Sequence, residues 1–249
     1  MSLWRLEWLR LVRTRRWLVL VGVFVLFGFV GPVGARYLPD LIKHAGNGVT
    51  IIVPKPKPAD GVQQFVSNAS GIGVLVAVVV AVASLAFDAK PGLGVFYRTH
   101  IRRPAALILP RYLVVAGASI VAFGLGTLAA VYETVVLLGG LPVGKMLLGL
   151  ALESLYLLVA LAVAAAATAL VRGPLGAVGV AIGFLLAMPI LGTVHAINRW
   201  LPSGLSTSMG SLVEGQATGA SFVRPAVVGG ALTIALLLFS LARVNRREG

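Results

Sequence analysis

Three places in the sequence hold side chains able to do chemistry. The first is the stretch DAKPGLGVFYRTHIRRP, from Asp88 to Pro104, which sets a carboxylate, Lys90, Arg98, Arg102, Arg103, His100 and the pair Gly92 and Gly94 between two runs of nearly pure Ala, Val and Leu. Arg111 follows just beyond it. The second is Glu153, the one carboxylate well inside an apolar run. A charged side chain at mid-membrane costs about 2.5–3.5 kcal/mol even on the lenient insertion scale, so Glu153 must face protein or a wet cavity. Two roles stay open for it: a substrate or proton site, or a structural hydrogen bond to a neighbouring helix, to Tyr132 or to Lys145. The third is the N-terminal MSLWRLEWLRLVRTRR, where Trp4, Trp8, Leu11 and Val12 recur at helical spacing and Glu7 and Arg10 lie one turn apart on a more polar side. A helix over residues 2–16, lying in the headgroup layer with its indoles at the interface, fits this pattern, as does a plain basic flank that sets topology.

Enzymatic chemistry has little material. The chain has no cysteine, and His44, His100 and His195 are scattered without metal-ligand spacing. Eight acidic residues form no paired-carboxylate set, and no GxSxG elbow occurs. The segment GGLPVGKM, Gly139 to Met146, nearly spells a phosphate-binding loop, but Met146 cannot ligate Mg²⁺ and no strand precedes it, so it reads as a Gly/Pro turn. Gly124-Leu-Gly126-Thr-Leu-Ala129 matches a dinucleotide fingerprint by letters alone and reads as a small-residue packing face within a helix. Gly176, Gly179, Gly183 and the alanine-rich 160–169 read the same way.

The elements that must position these residues are membrane spans. Hydrophobic residues make up 58% of the 249 and mean hydropathy is +0.96, too apolar for a soluble globule. About 20 apolar residues cross the hydrocarbon as a helix, and six runs qualify, at 17–36, 69–87, 108–131, 146–171, 174–194 and 223–242. The first lacks a cleavage site and reads as a span, not a leader. With the N-terminus inside, about two-thirds of the 21 Lys and Arg fall on cytoplasmic segments, so both termini and the Asp88–Pro104 loop are expected in the cytoplasm. Cations divided among membrane flanks also explain the net charge of +13 without a nucleic-acid partner. Arg111, near the inner end of the third span, is expected to snorkel to the headgroups, and Glu133, at a helix end, to be solvated.

The loop resembles the corresponding loop of type-2 ABC transporter permeases: an acidic residue (Asp88), a turn (Pro91, Gly92, Gly94), a helix-compatible segment (Val95 to Arg102), then Arg103-Pro104 leading to the cationic Arg111. The stretch PKPKPADGVQQFVSNASGIGVLV, read as external and preceding the second span, is similar to a family block carried here by Gln64, Phe65, Val66, Ser67 and Asn68. Glu7 among N-terminal arginines, six spans and a long segment after the fifth agree with the same family. The resemblance implies an all-α permease in a single transmembrane domain, 1–249, with an interfacial helix at 2–16, a cytoplasmic coupling loop at 88–107 and an extracellular re-entrant segment at 195–222. It implies pairing with a second permease copy, identical or related, and with a cytosolic ATPase that holds the ATP and Mg²⁺, none being bound by this chain. In that setting Phe96, Tyr97 and Ile101 can anchor in the ATPase, while Arg98, Arg102 and Arg103 meet acidic residues or lipid phosphate.

The expected function is therefore that of the membrane subunit of an ATP-driven exporter of an amphipathic or lipid-linked compound, in a prokaryotic inner or plasma membrane. Segments 92–103 and 2–16 would carry the ATPase motion upward by alternating access, with small faces of the first, second and fifth spans lining or sealing the pathway. A non-transporting immunity, resistance or scaffold protein keeping the same fold remains open at this point, and so does a basic loop with no partner.

Overall fold

The computed structural model describes residues 3–45, 55–86, 105–171 and 173–246. Helix α1 (Leu3–Arg13) is followed by the long α2 (Arg16–Ala45). Next come α3 (Pro58–Asn68), a π-helical turn (Ala69–Gly73) and α4 (Val74–Leu85), which run on without a break. Then follow α5 (Ala105–Leu137), α6 (Val143–Leu170) and α7 (Pro174–Leu191). Two short helices, α8 (His195–Asn198) and α9 (Ser208–Glu214), flank a 3₁₀ turn at Pro202–Thr207, and a second 3₁₀ turn (Gly219–Phe222) leads into α10 (Val223–Arg246). Among the described residues there is no strand, and six helical stretches are long and apolar enough to cross a membrane: Arg16–Leu38, Pro58–Leu85, Ile108–Leu137, Val143–Leu170, Pro174–Leu191 and Gly219–Arg243.

The breaks between helices have local causes. Thr14 and Arg15 close α1, the Thr14 hydroxyl donating to the Arg10 carbonyl at 2.8 Å and Arg15 taking a left-handed φ of 53°. Such a conformation costs a residue with a Cβ about 1 kcal/mol, so a specific turn is being held there. Pro58 opens α3, where the Asp60 carboxylate accepts the Lys57 N–H at 2.6 Å and caps the first turn. Gly139, at φ +115°, ends α5, and α6 begins just after Pro142. Gly144 and Lys145 thus sit in the first turn of α6, with helix on both sides of the Gly/Pro turn that mimics a phosphate loop.

The second span begins eleven residues earlier than the sequence suggests. Residues 58–68, read as an external stretch, are helical and inside the fold: Val62, Phe65 and Val66 are fully buried, with Phe65 stacked on Phe123 at 5.9 Å and Phe123 edge-on to Phe24 at 5.6 Å. The similarity block around Gln64 and Asn68 is therefore part of a packing helix.

α6 is the central element, touching α4, α5, α7, α9 and α10, and its alanines 160, 162, 164–167 and 169 are buried as expected of a small-residue face. The most extensive pair is α2 with α5. There Gly126 lies so close to Phe24 that a Cβ would sit 2.6 Å from its carbonyl oxygen, and Gly28 packs against the Gly126 carbonyl. In lipid, where burial itself supplies no drive between helices, such backbone approach is what dispersion packing requires. The glycines of α7 divide, Gly176 lying against the Val171 side chain. Gly179 and Gly183 face open space, and the buried side of α7 is Ala177, Ala181, Leu185 and Met188.

Candidate functional site

The residues 88–104, and with them Asp88, Gly92, Gly94, Phe96, Tyr97, Arg98, Arg102, Arg103 and Pro104, lie outside the described residues. What can be built is the ground on both sides of them. α4 ends at Leu85 and α5 begins at Ala105, and the end of α4, the start of α2, the first turns of α5 and the inner face of α1 converge on one polar pocket lined by Glu7, Arg10, Leu11, Arg16, Ser84, Arg111, Val114 and Val115.

Glu7 is the hub of this pocket. Its Oε1 accepts the Arg111 Nε–H at 2.8 Å and lies 3.4 Å from Arg10 Nη1. Arg111 is 4% exposed and the Glu7 side chain 13%. Arg111 therefore does not snorkel to the headgroups: the nearer carboxylate of α1 takes its guanidinium inside the fold. Arg16 Nη1 donates to Ser84 Oγ at 2.9 Å, and the Ser84 hydroxyl in turn donates to the Val80 carbonyl at 2.8 Å. Two polar ties thus knit α1 to α5 and α2 to α4.

The amphipathic reading of α1 divides accordingly. Trp4, Trp8 and Val12, one turn apart, form an exposed apolar stripe, while Leu11 is buried and Glu7 turns inward to Arg111. Leu11 leaves the stripe to which the spacing assigned it, and Glu7 leaves the solvent side, because both meet α5. Only Arg10 stays exposed on that face.

A second set lies around Glu153. Its side chain is 4% exposed, its Oε1 accepts the Met209 N–H at 3.0 Å, and its Oε2 has no hydrogen-bond partner among the described residues. Its hydrogen bond goes neither to Tyr132, which is exposed, nor to Lys145 but to the backbone of α9. The segment 202–214 is wedged against α6 and α3, with Leu205 and Met209 fully buried. Gly149 on α6 admits it, since a Cβ there would lie 2.5 Å from the Met209 Cα, and Gln63 rests against Gly210. The Ser70 hydroxyl, in the π turn, donates to the Ser206 carbonyl at 2.6 Å. A cavity with room for about one water lies beside Glu153, lined also by Phe24, Ala69, Ser70, Val74, Phe123, Tyr156 and Leu157.

Sequence reasoning passed over Arg16, Ser84, Ser70 and Met209. Three of these are ordinary interior helix or loop residues whose partners are 56 to 136 positions away, and no local spacing announces them. Glu7 did carry a signal: it is the first carboxylate in the chain, alone among the N-terminal arginines and preceding the next acid, Asp40.

Fold and site define a class: the described residues are mostly helical, with six helical stretches of membrane-spanning length and apolarity among them, fitting a multi-pass membrane protein. No known family, no curated protein and no solved structure matches the chain.

Proposed function

We propose that this chain is the membrane subunit of an ATP-driven exporter of the type-2 ABC permease kind, with both termini and the Asp88–Pro104 loop in the cytoplasm of a prokaryotic cell. It works beside a second permease copy, and a separate ATPase subunit binds ATP and Mg²⁺. The observation that carries this reading is the polar knot that joins α1 to α5 and α2 to α4 at the two ends of the loop. A loop that receives a push is useful only if its flanking helices move as a block, and packed helices joined by buried charge-assisted bonds transmit displacement in that way.

In this mechanism Phe96, Tyr97 and Arg98 seat the loop in the ATPase. Closure of the ATPase drives the block of α1, α2, α4 and α5, and the far end of the fold responds where α6 holds the 202–214 segment through Glu153. Trp4 and Trp8 keep α1 level at the headgroups, and Lys and Arg of the inner segments meet anionic lipid.

The test is affinity purification of the tagged chain from its native membrane. An ATP-hydrolysing subunit is expected to copurify, and replacing Phe96, Tyr97 and Arg98 together by alanine is expected to release it while the permease stays folded. An intact native complex without ATP hydrolysis, or one indifferent to the triple replacement, points instead to a non-transporting resistance or scaffold protein.

A further inference from the structure

The chemistry around Glu153 selects a ligand type. The cavity beside it has walls from α2 (Phe24), the π turn and α4 (Ala69, Ser70, Val74), α5 (Phe123) and α6 itself, and among these lining residues there is no Lys, Arg or His. An anion therefore finds nothing there to neutralise it. The lining polar groups are the Glu153 carboxyl, with one oxygen unpartnered, the Tyr156 phenol, and the Ser70 hydroxyl, whose proton is already given to Ser206. Phe24, Phe123 and Tyr156 line the same space, and aromatic rings attract positive charge. A carboxyl amid aromatic rings is the complement of an ammonium group, which supplies the charge that a buried carboxylate otherwise lacks.

We infer that Glu153 and the rings of Phe24, Phe123 and Tyr156 form a subsite for the ammonium group of an organic cation, the class of compound this protein carries; the second half of that statement rests on the permease reading above. In the arrangement described the cavity is of water size, and two of its lining residues, Glu153 and Ser70, hold the segment 202–214 beside it. Two polar ties hold that segment, Met209 N–H to Glu153 and Ser70 to the Ser206 carbonyl. An ammonium pairs with the unpartnered oxygen of Glu153, and room for the rest of the cation is made as the segment held by Glu153 and Ser70 withdraws. The π turn places Ser70 at the hinge of this contact, and such turns interrupt helices often at functional sites.

The test uses the whole chain in nanodiscs and dicyclohexylcarbodiimide, an apolar reagent. The carboxyl adds across one C=N bond, its proton passing to nitrogen, and the O-acylisourea rearranges to a stable N-acylurea read by peptide mass spectrometry. Glu153 is expected to be labelled, benzyltrimethylammonium to slow that labelling several-fold, and benzyl alcohol to leave it unchanged. Labelling of the exposed Glu214 serves as the internal reference and should respond to neither. Equal labelling of Glu153 with both compounds, or none at all, overturns the subsite and leaves Glu153 a structural tie to α9. Glu153→Gln should abolish the adduct, confirming its position, but the decisive comparison is made on the unaltered chain. No ATPase is needed for this readout, so its failure and failure of the permease reading are separate results.

Discussion

At the scale of single residues, the contact between Glu7 and Arg111 carries the most consequence. The two are 104 positions apart, and Arg111 is buried. Removing the carboxylate takes one acceptor from a guanidinium inside the fold, and losing a buried hydrogen bond to a charged group costs about 1–3 kcal/mol. Glu7→Ala is therefore expected to lower the unfolding temperature in nanodiscs, whereas Arg5→Ala, on the exposed side of the same helix, is expected to leave it unchanged. Equal unfolding temperatures for the two variants would remove the knot from the account. Periodicity gave Glu7 a place on a helix but not a direction. On a short helix rich in both Trp and Arg, the inward face is decided by what lies across from it, and Arg111 read alone looks like any membrane-flanking cation. Glu153 was legible for a different reason: a lone carboxyl in an apolar run has to be held by something, although its holder, the Met209 amide, is a backbone group that sequence does not single out.

At the scale of elements, the spans were legible and their packing faces only partly so. An unbroken apolar run long enough to cross a bilayer declares itself, and five of the six stretches begin within four residues of where composition placed them. The exception, α3, carries Asp60, Gln63, Gln64, Ser67 and Asn68, which depress its hydropathy. Its buried side, Val62, Phe65 and Val66, continued by Ala69 of the π turn, nonetheless recurs at helical spacing and was the signal available. α7 is apolar all round, so sequence could not tell its inward Ala177 and Ala181 from its outward Gly179 and Gly183. The close approach of α2 and α5 yields a matched pair of variants. Gly126→Leu drives a side chain into the Phe24 backbone and is expected to abolish a monodisperse fold on size exclusion, while Gly124→Leu, two residues away with nothing within 4 Å of its Cβ position, is expected to be tolerated. Tolerance of both would mean that α2 and α5 do not pack as described.

At the scale of the whole molecule, two polar sets divide the work. One, around Glu7, Arg16, Ser84 and Arg111, binds together the helices that lead into and out of the Asp88–Pro104 loop. The other, around Glu153, fixes the 202–214 segment to the central helix α6. As one device, pushed at the loop and opened at the segment as proposed above, the two must lie on opposite sides of the membrane. The absence of cysteine from the chain makes this directly measurable. Single cysteines at Thr99 and Ser203, exposed to a membrane-impermeant maleimide in sealed right-side-out vesicles, should label at position 203 from outside and at position 99 only after permeabilisation. Labelling at position 99 from the outside would contradict the account at its root, because a cytosolic ATPase could then never reach the loop.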